Sequence, residues 1–331
     1  MATGGKKNIA IVCGGYSSEK EVSLKSGKNL YGWIDQDKFN PFLVFIDKVK
    51  WVLIEKDTEY PIDRTDFTAN VKGVKIHFDC AYITIHGTPG EDGRLQAFLE
   101  MMRIPYTSSG VFTSSLTFHK FATTAFLKQF GIKSAKSFLV RKHDYVRPEE
   151  VVEAVGLPFF VKPNNCGSSF GVSKIKTIEG ILPAIENALQ EDSEVIIEEF
   201  IQGREFTNGI YRTKSLIRIL PITEIVSDNE FFDYEAKYTG KSNEITPAVL
   251  TPELELKCKK LTGHIYKLLN CDGVVRVDYI LRDDSFYLLE VNTTPGLSAQ
   301  SIIPQQIRAE GMTEKEFFSM LIEDALDRHG K

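Results

Sequence analysis

Two β-rich runs, Val274 to Leu281 and Phe286 to Asn292, flank a polar turn and carry Arg276, Asp278, Glu290 and Asn292. If the turn comprises Asp283 to Ser285, Arg282 faces Phe286, Asp278 faces Glu290 and Arg276 faces Asn292, and directly opposed residues project on one face. Glu290 and Asn292 share a face whatever the turn, because side chains alternate with period two. Two carboxylates and an amide oxygen on one strand pair are hard oxygen ligands that repel one another when empty, and a hard divalent cation relieves the repulsion. Magnesium fits best, since it takes few protein carboxylates and fills its octahedron with water and nucleotide phosphates. Arg276 beside the metal would stabilise negative charge on a reacting oxyanion. The competing account is an exposed hairpin closed by a salt bridge. The choice turns on register, because a two-residue turn would flip the parity between strands.

A second set of groups suits a triphosphate. Lys162 ends an apolar run and precedes a loop, residues 164–171, whose glycines allow close backbone approach and whose Ser168 and Ser169 supply hydroxyls. The Walker A pattern G-x-x-x-x-G-K-[ST] is absent, so a β-hairpin clamp over phosphates is the better expectation. Lys120, Lys162 and Lys237 each sit in apolar or aromatic surroundings rather than in charge runs. A single such lysine usually snorkels to the surface; the three become a nucleotide site only together with the hairpin carboxylates.

Near the N-terminus, Ile9 to Leu24 reads as strand, glycine turn and helix start, which suits an anion. A dinucleotide site is the obvious rival, with Asp47 where a ribose-binding acid would sit. The G-x-G-x-x-G spacing is missing, however, and Glu19 would repel a phosphate. Glu19 suits an ammonium group, or else simply complements the helix dipole. His86 opens a second glycine-rich loop, His86 to Gly93, after a strand. No histidine spacing suits zinc, so His86 is read as a substrate-loop residue or a structural histidine.

The elements that must position these groups follow from periodicity. Short apolar runs at Ile9 to Val12, Phe42 to Ile46 and Ala81 to Ile85, with a helix from about Lys20, imply a parallel α/β lobe. A helix is expected from Thr113 or Ser114 to Phe130, capped by Gly131. Strands at Leu157 to Val161, Val172 to Ile175 and Val195 to Ile197 accompany a helix near Ile178 to Leu189, and Gly203 marks a turn. Thr251 with Pro252, and the capping box Thr313-x-x-Glu316, start two later helices. The chain is thus expected to be α/β with three lobes, 1–112, 113–203 and 204–331.

Composition agrees with a folded enzyme. The chain has 331 residues, 42% apolar and 26% charged, with net charge −5, which argues against a broad nucleic-acid surface. Five cysteines without a C-x-x-C pair argue against a disulfide framework and suggest the cytoplasm. No stretch approaches membrane-spanning length.

These segments, in this order, resemble the D-alanine–D-alanine ligases along nearly the whole chain. The resemblance rests on GGYSSEKEVSLKSG, HGTPGEDGRLQAFLE, IPYTSSGV, VKPNNCGSSFGVSK, VIIEEFIQGREFT, FFDYEAKYTGK and RVDYILRDDSFYLLEVNTTPGLSAQSI. It implies an ATP-grasp fold, with ATP between the second and third lobes and two D-alanines between the first and third. By resemblance Asp278, Glu290 and Asn292 hold two magnesium ions, replaceable by manganese, and Lys120, Lys162, Ser169 and Lys237 contact ATP phosphates. Glu198, Glu199, Ile201 and Glu205 would hold adenine and ribose. Glu19, Ser168 and Tyr238 resemble the family's hydrogen-bonded group over the substrates, with Glu19 receiving the first D-alanine's ammonium and His86 nearby. Arg276 and the Gly296 N–H resemble the oxyanion site, and Ser301 with Ile302 would bind the second carboxylate. Tyr238 favours the dipeptide over a D-alanyl-D-lactate product, and a homodimer is implied. His119, Phe170 and Gln300 depart from the usual pattern, where Asp, a small aliphatic and His are common; with Cys166, Phe170 leaves the loop's packing open.

Overall fold

The computed structural model describes residues 5–165, 167, 171–214, 216–227 and 242–329. Its strands are β1 (Lys7–Gly14), β2 (Phe39–Ile46), β3 (Trp51–Glu55), β4 (Thr58–Asp63), β5 (Thr68–Val71), β6 (Val74–Ile76), β7 (Cys80–Ile83), β8 (Ser137–Arg141), β9 (Phe159–Pro163), β10 (Ser173–Ile175), β11 (Glu194–Glu199), β12 (Arg204–Thr213), β13 (Leu216–Ser227), β14 (Ser242–Ile245), β15 (Val274–Arg282) and β16 (Ser285–Asn292). The helices are α1 (Lys20–Trp33), α2 (Arg94–Met101), α3 (Val111–Phe118), α4 (Lys120–Lys128), α5 (Pro148–Val155), α6 (Ile181–Ala188), α7 (Pro252–Leu268), α8 (Ile302–Ala309) and α9 (Glu314–His329).

Three sheets organise the α/β fold. The first runs β6-β5-β4-β3-β2-β1-β7. β1 is parallel to both β2 and β7, and β3 to β6 extend the sheet as an antiparallel meander that the periodicity had not separated from loops. β1 is buried on both faces, which explains its unbroken apolar run. Ala10 and Val12 face a cluster with Val44, Ile83, Leu95 and Leu99, whereas Ile9 and Ile11 face Leu30, Tyr82, Phe317 and Phe318. Part of the core beneath the first sheet therefore comes from α9, at the far end of the chain.

The second sheet is β10-β9-β11-β8, antiparallel, with α5 and α6 covering its apolar face. The third, β14-β13-β12-β15-β16, is also antiparallel. Alternation on β15 divides its labour: Val275, Val277 and Tyr279 pack with Ile265 and Tyr266 of α7, which leaves Arg276 and Asp278 on the opposite face. Both expected caps form, with Thr251 accepting from the Leu254 N–H and Thr313 exchanging hydrogen bonds with Glu316.

One expectation fails instructively. The helix sought from Thr113 to Phe130 is two helices, α3 and α4, divided at His119, whose φ of −91° and ψ of 94° are extended. The His119 N–H closes on the Leu116 carbonyl, and its Nδ1 accepts from the Ala122 N–H at 3.1 Å, so the side chain ends one helix and caps the next. Gly131 does close α4, at φ +76° with the Ile132 N–H bonded to the Leu127 carbonyl.

Candidate active site

The hairpin register decides whether the four polar residues meet. The turn is not three residues long: Arg282 opposes Ser285, and Asp283 and Asp284 both have positive φ, 47° and 54°, as a two-residue I′-type turn requires. The parity flips near the turn as a consequence, so that Phe286 opposes Leu281 rather than Arg282. It flips back between Tyr279, opposite Leu288, and Asp278, opposite Glu290, where Leu289 is an extra residue. Asp278 therefore opposes Glu290 and Arg276 opposes Asn292, as expected, through a bulge the sequence had not revealed.

These four side chains form one network. Arg276 holds Asp278 with two parallel hydrogen bonds, Nε to Oδ1 at 2.9 Å and Nη2 to Oδ2 at 2.8 Å, and its Nη2 lies 3.9 Å from Glu290 Oε1. Burial opposes charge on Arg276, but Asp278 and Glu290 outweigh it and raise its pKa further. Thr207 on β12 donates to Asp278 Oδ1. The Asn292 amide nitrogen lies 3.1 Å from Asp278 Oδ2 and 3.3 Å from Glu290 Oε1. Amide orientation is assigned from such contacts, and turning it by half a circle presents three oxygens to one point. That donor set suits a hard cation, although among the described residues no group of three His, Cys, Asp or Glu is spaced to hold a metal alone.

The break at His119 makes Lys120 the first residue of α4, and its Nζ lies 3.8 Å from Glu290 Oε2. Across the cleft, β9 carries Lys162, which pairs with the buried Glu198 on β11. Burial lowers the Lys162 pKa, but Glu198 first, then Glu290 and Glu205, raise it above the ordinary value. Lys120, Lys162, Glu198, Glu205 and Glu290 thus belong to one electrostatic neighbourhood. Glu199 sits next to it, its carboxylate accepting from the Lys136 N–H, and Ile201 is buried beyond.

The first lobe reaches the same place. Glu19, at the N-terminus of α1, is buried, and a Cβ built on Gly167 would lie 2.6 Å from Glu19 Oε2, so the glycine is what lets the loop approach the carboxylate. His86 contacts Ser26 through Nε2 at 3.5 Å, and the Ser26 Oγ accepts from the Leu297 N–H. Ser301 accepts from the Ser298 N–H at 2.9 Å and sits beside Gly296, while Ile302 begins α8. Ser168, Ser169, Lys237 and Tyr238 lie outside the described residues, as do Cys166 and Phe170.

Sequence reasoning passed over Glu91, although it lies within the glycine-rich loop after His86. Its carboxylate accepts from the Gly87 N–H and the Thr294 hydroxyl, both at 2.7 Å, and burial raises its pKa, with His86 opposing and Glu19 adding to the rise. Glu91, Lys120, Gly167, Glu290 and Asn292 line one cavity. Asp47, the acid of the rival dinucleotide reading, instead accepts from the Val49 and Lys50 N–H groups and pairs with Lys20.

Two antiparallel sheets that bring lysines and carboxylates into one neighbourhood, joined to an α/β lobe with a parallel-containing sheet, fit an ATP-grasp architecture. Residues 8–109 match the family model for the D-ala D-ala ligase N-terminus, and residues 126–323 match that for the C-terminus. The chain belongs to the D-alanine–D-alanine ligase family. A D-alanine–D-alanine ligase from Bacteroides fragilis is 49% identical over 321 residues, covering 96% of this chain and 99% of its own. Among solved structures, D-alanyl-alanine synthetase A from Vibrio cholerae matches with a TM-score of 0.87 at 27% identity, over 97% of this chain and 99% of its own. A D-alanine–D-alanine ligase from Bacillus anthracis complexed with ATP matches with a TM-score of 0.80 at 29% identity, over 99% of both chains. Among the described residues no helix is long and apolar enough to cross a membrane.

Proposed function

We propose that the protein joins two D-alanines into D-alanyl-D-alanine with ATP, through a D-alanyl phosphate, for peptidoglycan precursor synthesis. The observation that carries the reading is the meeting of Arg276, Asp278, Glu290 and Asn292 on one sheet face, with Lys120 of α4 beside Glu290, next to a cavity lined by Glu290, Asn292, Lys120, Glu91 and the Gly167 that approaches Glu19. The ATP γ-phosphoryl group passes to a carboxylate oxygen of the first D-alanine, and ADP leaves. The second amine then attacks the acyl carbon, loses a proton, and inorganic phosphate departs as the peptide bond forms.

Each residue has a task in those two steps. Lys120 and Lys162, with Lys237, neutralise phosphate oxygens, and Ser169 donates to them. Glu198, Glu199, Ile201 and Glu205 take adenine and ribose. Glu19 receives the first ammonium, with His86 beside it and Ser168 and Tyr238 above. Arg276 and the Gly296 N–H meet the oxyanion on the acyl carbon, where fixed donors act most strongly. Ser301 and Ile302 hold the second carboxylate. Asp278, Glu290 and Asn292 would hold two magnesium ions, or manganese, which screen the phosphate charge when bound. We further infer lobes at 1–112, 113–203 and 204–331, a cytoplasmic location, in keeping with the free buried thiols of Cys13, Cys80, Cys258 and Cys271, and a homodimer.

The test is phosphate release from ATP and magnesium with D-alanine, L-alanine, or D-alanine plus D-lactate, with products identified by mass. Dipeptide from D-alanine alone is expected. Release only when D-lactate is present would move the acceptor, and no release with any mixture would overturn the reaction.

A further inference from the structure

His119 is the point at which three elements of the nucleotide cleft are tied together. Its Nδ1 accepts from the Ala122 N–H at 3.1 Å and faces the Asn164 amide nitrogen at 2.9 Å, while its Nε2 lies 2.9 Å from Glu194 Oε2. Two donors on Nδ1 leave the ring proton on Nε2, where it is given to Glu194. Asn164, fully buried, accepts from the Phe121 N–H through Oδ1 at 3.0 Å and from the Lys120 N–H through its carbonyl at 3.3 Å. The first three N–H groups of α4, those of Lys120, Phe121 and Ala122, are thereby all satisfied by His119 and Asn164.

The lysines hang from the same points. Lys120 is the residue after His119, Lys162 lies two residues before Asn164, and Glu194 opens the strand that carries Glu198. The Asn164 N–H also donates to the Glu194 carbonyl at 3.0 Å. Since α3 and α4 pack on β16, which bears Glu290, the knot connects the third sheet to the second.

We propose that His119 is a positioning residue for the nucleotide site, setting the placement of Lys120 against Lys162. This rests on the assignment of those lysines to ATP phosphates. A carboxylate at position 119 could cap the Ala122 N–H equally well, but would face Glu194, which Arg141 already holds at 3.1 Å. His119→Asp should therefore be impaired by like-charge repulsion, and only while Glu194 is charged. An amide, as in His119→Asn, both accepts and donates.

The experiment is calorimetric titration with magnesium–ADP, together with KM values for ATP and D-alanine, on the full-length wild type and variants. His119→Ala is expected to weaken magnesium–ADP binding and raise the ATP KM by roughly tenfold, as loss of a cap and its partner hydrogen bonds implies, with the D-alanine KM changed less than about twofold. His119→Asn should retain most of the affinity, and His119→Asp should lose it. Adding Glu194→Gln should restore His119→Asp but not His119→Ala, a coupling a double-mutant cycle measures. Equal affinities for His119→Asp and His119→Asn, no rescue by Glu194→Gln, or a D-alanine KM that rises by the same factor would each overturn the proposal. If His119→Ala fails to fold, the Asn, Asp and double variants decide the matter. Wild type that binds magnesium–ADP yet makes no dipeptide would refute the reaction and leave this comparison standing.

Discussion

Replacing Glu198 by Gln leaves Lys162 mostly buried without its closest counter-charge, 19% of the lysine side chain and 7% of the glutamate being exposed. Breaking one partner of a buried pair costs about 3–5 kcal/mol, because the remaining charge is uncompensated. For 331 residues unfolding together, with about 2.1 cal/mol/K of entropy each, that is a fall in Tm of about 4–7 °C. The pH dependence gives a sharper signature. In the wild type burial lowers the Lys162 pKa but Glu198 raises it to above the ordinary value. The pair's contribution is then fully present below the unfolded lysine pKa, about 10.4, and fades only as pH rises through the folded value. In Glu198→Gln the burial remains while its main opponent is gone, so the folded pKa falls. The unfolded chain then binds more protons than the folded one, and stability rises with pH. Scanning calorimetry at about pH 7 and about pH 9.5 should show a deficit that shrinks at the higher pH. A deficit below about 1 °C, or one equal at both values, would refute the argument that Lys162 depends on Glu198 for its charge.

The other predictions concern the two carboxylate sites and the hairpin. Glu290→Ala should abolish dipeptide formation, by about a thousandfold or more, while circular dichroism stays native; near-normal turnover would remove Glu290 from the proposed magnesium set. Gly167→Ala puts a methyl 2.6 Å from Glu19 Oε2, which should raise the D-alanine KM by roughly tenfold to a hundredfold, as misplacement of about 1 Å can. An unchanged KM would show that Glu19 does not need that approach. Changing the turn Asp283-Asp284 to Asn-Gly relieves two positive-φ aspartates and should stabilise the protein by about 0.5–1 kcal/mol in urea unfolding, with activity unaltered.

What the sequence disclosed and what it hid have separate physical causes. β1 was legible because burial on both faces produces an unbroken apolar run, and the caps at Thr251 and Thr313 because their hydrogen bonds are local. The antiparallel strands β3 to β6 were not, since they are only three to six residues long and β4 and β6 are mostly exposed, which makes them look like loops. The helix break at His119 escaped because histidine is no helix breaker by composition; the ring interrupts the helix only because Asn164 and Glu194, distant in sequence, hold it. Glu91 was hidden differently: the motif containing it was recognised, but burial beside Glu19 and Thr294 is a tertiary fact.

The hairpin shows how a correct grouping can rest on an incorrect route. The expected three-residue turn and the observed two-residue turn with a bulge at Leu289 share the same net offset, so both oppose Asp278 to Glu290. They differ at the turn, where Tyr287 comes opposite Ile280 and its hydroxyl accepts from Arg282 at 2.9 Å, while Arg282 Nη1 lies 3.8 Å from Glu199. The bulge therefore lets one strand pair satisfy two demands: a tight turn that places Arg282 toward the proposed adenine side, and polar pairing at the far end that gathers Arg276, Asp278, Glu290 and Asn292. A continuous ladder from a two-residue turn would set Asp278 opposite Leu289 and carry Glu290 to the face that packs against α7, where a carboxylate would be buried among Ile265, Tyr266 and Val277 without a partner. The burial penalty of that alternative, rather than any local signal at Leu289, is what selects the bulge.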